Sequence, residues 1–352
     1  MLKSLYSGIS GLKVNQQKLD VIGNNIANVS TTSFKGSSVN FQDMLSQSVS
    51  GAQGASLNQG GINGSQLGLG VKIGSIAINQ TQGSMTPTGS ITDLAIDGEG
   101  YFMVERGTIV NTTGVITVDP KSTTTTSHNI ASTSGNEILY TRDGAFLRDD
   151  KGNFVTTDGL RVMGYAVSSV TAGTGSIPAA SASITPGTTA GTSGARFVDA
   201  KNPVFTDSVN LMSLVIPDTV KNGALELKVT KVNISKNGLV VATLDDGSQS
   251  ALGQIAMATF NNPNGLKAIG GNLNQETVNS GKATIKTGLG IAAVDDNSKG
   301  YGAVNSGFLE ASNVDLAQQF TDMIVTTRAF EANGKTITNG DEILQTIIGL
   351  KR

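Results

Sequence analysis

The chain contains no cysteine and no tryptophan, and a single histidine, in 352 residues. Without thiols there is no disulfide framework, no thiolate nucleophile and no cysteine-held metal. One histidine cannot build a histidine triad or a histidine-rich metal site. His128 follows the run "STTTTS" and reads as a surface-loop residue. Aromatic residues make up only 5%, which argues against the apolar, aromatic-lined pocket of a typical enzyme. Charge is nearly balanced, with 25 Lys and Arg against 27 Asp and Glu, so no bulk basicity points to nucleic acid. No apolar run reaches the roughly 18 residues of a membrane helix. The opening "SLYSGISGLK" has no uninterrupted apolar core of the Sec-signal kind, so export is expected to use another route.

What is abundant is glycine, 44 residues of it, together with Ser, Thr and Asn. This composition suits a turn-rich β protein. Stretches such as "LAIDGEGYFMV", "YTRDGAFLRDDKGNFVTTDGLRVMGY" and "VNISKNGLVVATLDDGS" are short apolar or alternating runs split by Asp-Gly and Asn-Gly. These are hairpin signals. Residues 71–165 and 229–311 are therefore expected to form a mostly antiparallel β domain. A Gly/Ser/Thr/Ala/Pro-rich insertion at 166–228 is expected to form an added β subdomain or flap. Residues 31–70 read as a connector, interrupted by "FQDMLSQSV", whose Phe41, Met44, Leu45 and Val49 fall at helical spacing.

Chemical motifs fail one by one. Gly334-Lys335-Thr336 imitates the end of a phosphate-binding loop, but the required first glycine falls at Ala329, inside a helical pattern. Gly98 and Gly100 begin a dinucleotide fingerprint that Met103 ends. The run from Asp295 to Gly300 resembles the start of a calcium loop. Lys299 occupies a ligand position there, and Ser306 stands in place of the bidentate glutamate. Asp149-Asp150 and Asp245-Asp246 read as hairpin turns. Nothing positive supports a pair of glycosidase carboxylates. The expectation is no enzyme, no cofactor and no metal.

The two chain ends have a different period. Leu5, Leu12, Leu19 and Ile26 recur every seven residues, with Ile9 on the alternate seam and Ile22 adding apolar surface. Near the other end Leu316, Met323, Phe330, Ile337 and Leu344 recur every seven, with Phe320 and Ile348 on the alternate seam. Both are coiled-coil-like stripes. Ser312 and Asp315 read as the start of the second helix. A strict heptad seam is narrower than the apolar face of a helix buried in its own domain. Two such helices leave seam exposed, which favours packing against further copies. Toward the end of the first helix, in "LDVIGNNIANVSTTSFKG", the amides Asn24, Asn25 and Asn28 are expected to bond neighbouring backbones and form a joint.

Long segments in this order resemble the bacterial flagellar rod and hook proteins. They are the start "MLKSLYSGISGLKVNQQKLDVIGNNIANVSTTSFK", then "DLAIDGEGYFMV", "YTRDGAFLRDDKGNFVTTDGLRVMGY" and "LGQIAMATFNNPNGL", and the ending from "GAVNSGFLEASNVDLAQQF" to "IIGLKR". "FQDMLSQ", the final "LKR" and the 166–228 insertion are similar to hook subunits, and the distal rod protein, which shares both ends, is the alternative. One departure is Ser33, where the family carries Gly. If that glycine serves a positive φ, serine is strained there.

The resemblance implies a mixed α and β, multidomain fold. The helices of 1–30 and 312–352 would pair in a coiled-coil-like inner domain, and mostly antiparallel β domains would lie outside. It implies a homopolymer, a helical tube acting as a flexible universal joint that carries torque from rod to filament. The implied partners are a flagellar rod protein, a hook cap protein, hook–filament junction proteins and the flagellar type III export apparatus. No nucleic acid and no membrane insertion are implied, and the expected location is the flagellum, outside the cell after export. A secreted β-rich adhesin is the alternative from another class.

Overall fold

The computed structural model describes residues 2–54, 60–107, 116–118, 130–132, 137–165, 167–168, 195–200, 204–205, 210–222, 225–286 and 302–350. His128 and the Asp295–Gly300 run lie outside them. The chain divides into two compact units, Met1–Thr81 with Ser312–Arg352, and Gln82–Ala311.

The first unit holds two long helices, α1 (Leu2–Ala27) and α2 (Leu316–Leu350). They run antiparallel, since Leu5 meets Gly340 and Asn25 meets Gln319. The start of α2 is capped by Asp315 itself. Its Oδ1 accepts from the backbone N–H groups of Ala317 at 2.8 Å and Gln318 at 3.3 Å, which satisfies two donors the first turn leaves open. Ser312 accepts instead from Val314 N–H at 3.3 Å, so the expected capping box begins one turn too early. At the end of α1, Asn28 Nδ2 donates to the Asn24 carbonyl at 2.9 Å, and Thr31 Oγ1 donates to Asn28 Oδ1 at 3.1 Å. Ser33 follows, buried, with φ of 56°. The backbone here does adopt the left-handed region that glycine enters freely.

Between Ser37 and Ile78 the described strands form a two-stranded ribbon. Ser37–Asp43 pairs antiparallel with Val71–Ile78, and Ser46–Ser50 with Ser65–Gly68. Bonds from Met44 N–H to the Gly70 carbonyl (2.8 Å) and from Leu69 N–H to the Leu45 carbonyl (3.2 Å) join the two ladders. The helical spacing of Phe41, Met44, Leu45 and Val49 is therefore not realised. Phe41 and Val49 lie in strands, because the segment 65–78 offers a continuous backbone partner that spacing alone does not reveal. For the same reason Val71–Ile78 belongs with the helices rather than with the β unit.

The second unit is mixed β structure, antiparallel in nearly every pairing. Among its described residues, 17 strands join into one branched hydrogen-bonded sheet. The parallel exception is Ala195–Arg196 with Thr219–Asn222. Of the expected 166–228 insertion, the described parts are short strands, and 169–194 lie outside the described residues. The core gathers Phe102, Phe146, Phe154, Leu139, Leu244 and Val162, with Phe102 and Phe146 edge to face at 5.1 Å. A second cluster includes Tyr140, which packs edge to face on Phe260 at 4.8 Å. Burial pushes the Tyr140 phenol well above its ordinary range, so it stays neutral. The aspartate pairs are turns: Asp149 Oδ1 accepts from Lys151 N–H at 3.0 Å, and Asp246 Oδ1 from Ser248 N–H at 2.8 Å.

The two ends of this unit meet. Phe308–Glu310 pairs with Met85–Pro87, and Ala303–Ser306 with Leu94–Asp97. A buried ion pair clasps them. Glu310 Oε2 accepts from Arg142 Nε at 2.7 Å, and Glu310 Oε1 accepts from Gly83 N–H at 2.9 Å. Arg142 also donates to the carbonyls of Gly98 and Gly100. Both charges are withdrawn from water and every strong partner is inside the protein. Removing one partner should be costly, whereas removing both need not be. Arg142→Met is expected to destabilise the β unit by about 3–5 kcal/mol in urea titrations, and Arg142→Met with Glu310→Leu by clearly less. Equal losses for the single and double variants would show that the pair is not the clasp.

Candidate self-assembly surface

The expected site residues lie on α1 and α2, apart from Asn28 just beyond the end of α1, and the structure sorts them into three groups. The first packs the helices together. Ile22 is buried, and Leu5, Leu12, Leu19, Ile26, Met323, Ile337 and Leu344 are half-buried. The helices approach closely because glycine lines the contact. A Cβ at Gly11 would lie 2.8 Å from Asn333 Nδ2, and one at Gly340 would lie 2.8 Å from Leu5 Cδ2. These glycines, and buried Val14 on α1, were not among the expected residues. Heptad counting weights large apolar side chains and passes over the small ones that allow close packing.

The second group is exposed. Ile9 is 51%, Phe320 50% and Ile348 68% accessible, and Leu316 and Phe330 are also open to solvent. A straight helix drifts about 20° per heptad relative to a strict seven-residue stripe. Along α2 the stripe is accordingly uneven: Met323, Ile337 and Leu344 are half-buried, whereas Leu316 and Phe330 are exposed. Beyond the expected set, Ile324, Val325, Ile343, Ile347 and Leu350 are exposed on α2 as well. Buried positions on this helix are Thr326 and Gly340. The ribbon adds exposed Phe41, Met44, Leu45, Val49, Ile62, Leu67 and Ile76. Unpartnered two-stranded ribbons are marginal in water.

The third group is the amide joint, and its three members do different work. Asn25 is 1% exposed. Its Oδ1 accepts from Ser37 N–H at 2.9 Å, and its Nδ2 donates to the Ser37 carbonyl at 2.8 Å and to Gln319 Oε1 at 3.1 Å. One side chain thus ties α1 to the first ribbon strand and to α2. Asn24 and Asn28 bond each other and finish the helix locally. Asn313, not expected from the sequence, makes a matching clamp. Its Oδ1 accepts from Gly36 N–H at 2.9 Å, and its Nδ2 donates to the carbonyls of Asn79 at 2.8 Å and Thr81 at 3.0 Å. Ser10 Oγ accepts from Val71 N–H at 3.3 Å, which pins the returning strand to α1. Among the described residues no cluster of His, Cys, Asp or Glu suits a metal.

The two terminal helices fall largely within known sequence models. Residues 5–35 match the model "Flagella basal body rod protein", and residues 305–350 match "Flagellar basal body rod FlgEFG protein C-terminal". In the β unit, residues 129–242 match "Flagellar hook protein FlgE/F/G D1 domain". The chain is 38% identical to the flagellar basal-body rod protein FlgG of Bacillus subtilis over 352 residues, covering all of both chains. This chain belongs to the flagellar hook and basal-body rod family. It is 32% identical to the flagellar hook protein FlgE of Borreliella burgdorferi in an alignment of 455 positions, again covering both chains. It is 32% identical to the FlgG rod protein of Caulobacter vibrioides over 98% of this chain and 97% of that one.

Asn25 bonds within its own chain, so its loss should be felt in the isolated chain. Asn25→Leu is expected to destabilise the helical unit by about 1–3 kcal/mol, because two backbone groups of Ser37 and the Gln319 amide lose a partner. Loss of α1 protection in hydrogen exchange on the monomer would report it; unchanged protection would count against the joint. Ser33→Gly should act oppositely and raise stability by about 1 kcal/mol by relieving the left-handed backbone, read as a higher melting temperature.

Proposed function

We propose that the chain is the repeating subunit of the flagellar hook, a homopolymeric tube that bends while transmitting torque. One observation carries the reading. α2 exposes Phe320, Ile324, Val325, Ile343, Ile347, Ile348 and Leu350 on a helix whose contact with α1 leaves them uncovered. Further copies of the chain would cover them. Each apolar side chain so buried contributes about 1.5–3 kcal/mol, so the helices and the 1–30 and 312–352 segments supply cohesion. The β unit supplies compliance. Its surface ion pairs, Arg106–Glu137, Arg148–Asp218 and Lys221–Glu226, are exposed, and each is worth about 0–1 kcal/mol. Contacts of that size exchange easily as a tube lengthens on one flank and shortens on the other.

In this role the chain is structural and not an enzyme. It is exported unfolded by the flagellar type III apparatus, assembles beneath a cap protein on the rod, and is followed by junction proteins. The names of its relatives support a flagellar axial role. A second reading, the distal rod subunit, is favoured by the full-length match to a FlgG protein over 352 positions, whereas the FlgE match needs 455. Electron microscopy of cells lacking the chain separates them. Completed rods without hooks fit the hook, and basal bodies arrested before rod completion fit the distal rod.

The assembly reading has its own test. Ile324→Asp with Ile348→Asp should leave the monomer's thermal melt unchanged, since both groups are exposed. It should raise the concentration needed for tube formation by tenfold or more, because each lost burial exceeds about 1.4 kcal/mol. Normal tubes at the original concentration would refute the role of this face.

A further inference from the structure

The sequence contains six Asn-Gly pairs, at Asn63, Asn222, Asn237, Asn264, Asn333 and Asn339. Asn-Gly is chemically fragile, because glycine has no side chain to hinder attack of its backbone nitrogen on the preceding amide carbon. The attack needs a free N–H and a mobile backbone, so local structure decides which pair reacts.

Four pairs are protected. Gly334 and Gly340 lie inside α2, where the helix ladder holds their N–H groups. Gly238 N–H donates to the Ser235 carbonyl at 2.8 Å, and Asn237 Oδ1 is occupied by Leu239 N–H at 3.2 Å. Gly265 N–H donates to the Asn262 carbonyl at 3.1 Å. Gly223 lies outside the described residues.

Asn63-Gly64 differs. Both residues are exposed and lie outside any strand, between the Gln53–Ile62 bridge and the Ser65–Gly68 strand. The ladder skips them: Ile62 N–H donates to the Gln53 carbonyl, and the next donor on this strand, Ser65 N–H, bonds the Ser50 hydroxyl at 3.3 Å. Among the described residues no hydrogen bond engages the Asn63 side chain or the Gly64 N–H.

We propose that Asn63-Gly64 is a site of spontaneous deamidation and isoaspartate formation on the exposed ribbon. The Gly64 nitrogen bonds to Asn63 Cγ and gives up its proton. The Cγ–Nδ2 bond breaks, and ammonia leaves with that proton. Water then opens the succinimide at either carbonyl, giving aspartate or isoaspartate. No oxidant or reductant is involved. The product is a carboxylate in a segment, Met44 to Val71, that otherwise carries no charged residue, and isoaspartate adds one backbone carbon to the strand.

The test uses purified full-length protein aged in mildly alkaline buffer, with peptide mapping by tandem mass spectrometry. Asn63 should convert on the order of tenfold faster or more than Asn237, Asn264, Asn333 and Asn339, because those N–H groups must first open. Isoaspartyl methyltransferase with a labelled methyl donor should mark the ribbon peptide, and Asn63→Gln should abolish that label. Retention of the Asn63 amide while any of the four others converts would overturn the proposal. So would absence of conversion, or full methyl labelling of the Asn63→Gln variant. The chemistry is read on the monomer, so its failure is separate from any failure to assemble.

Discussion

Everything in the helical unit depends on the first and last segments of the chain being in contact. α1 and α2 are separated by almost the whole sequence, and closing so long a loop carries a substantial entropic cost. What offsets it is modest in number: Ile22 and Val14 on α1, a row of half-buried aliphatics, and glycine positions that let the backbones approach. Polar bonds then select one geometry. Asn25 and Asn313 together satisfy backbone groups of Gly36, Ser37, Asn79 and Thr81. They fix where the ribbon leaves the helices and where it returns. The helix pair is therefore well specified, yet it leaves large apolar side chains such as Ile324, Val325 and Ile348 exposed.

The helices and the β class were legible in the sequence because periodicity is a direct record of which faces are covered. The heptads marked both helices, and Asp-Gly and Asn-Gly pairs marked hairpin turns. The features missed share a cause. Which of three nearby amides does tertiary work depends on where Ser37 and Gln319 end up, and nothing local to Asn24, Asn25 and Asn28 encodes it. The role of Gly11 is visible only once Asn333 is known to face it. "FQDMLSQSV" can be wound as a helix or drawn out as a strand, and its pairing partners between Gln66 and Ile73 decide the matter.

Ser33 shows the opposite case. The family resemblance raised only a condition, that a glycine at this position would matter if it served a positive φ, and the backbone does adopt one. The serine is retained in a conformation that glycine would enter at lower cost. It stands at the bend between the end of α1 and the first ribbon strand, close to the groups that Asn25 and Asn313 hold.

The clasp in the β unit has a consequence for timing. Gly83 and Glu310 are 227 positions apart, yet they share a hydrogen bond, and Arg142 reaches the same carboxylate from 168 positions away. The opening strands Met85–Pro87 and Leu94–Asp97 likewise pair with strands in Ala303–Glu310. Non-local pairings of this kind form late, after their loop entropy has been met. In a chain that folds from its amino end, the strands of 85–97 lack these partners until residues 303–310 are present. Closure of this edge of the β unit thus waits on residues 303–310, which come just before the α2 helix in the chain.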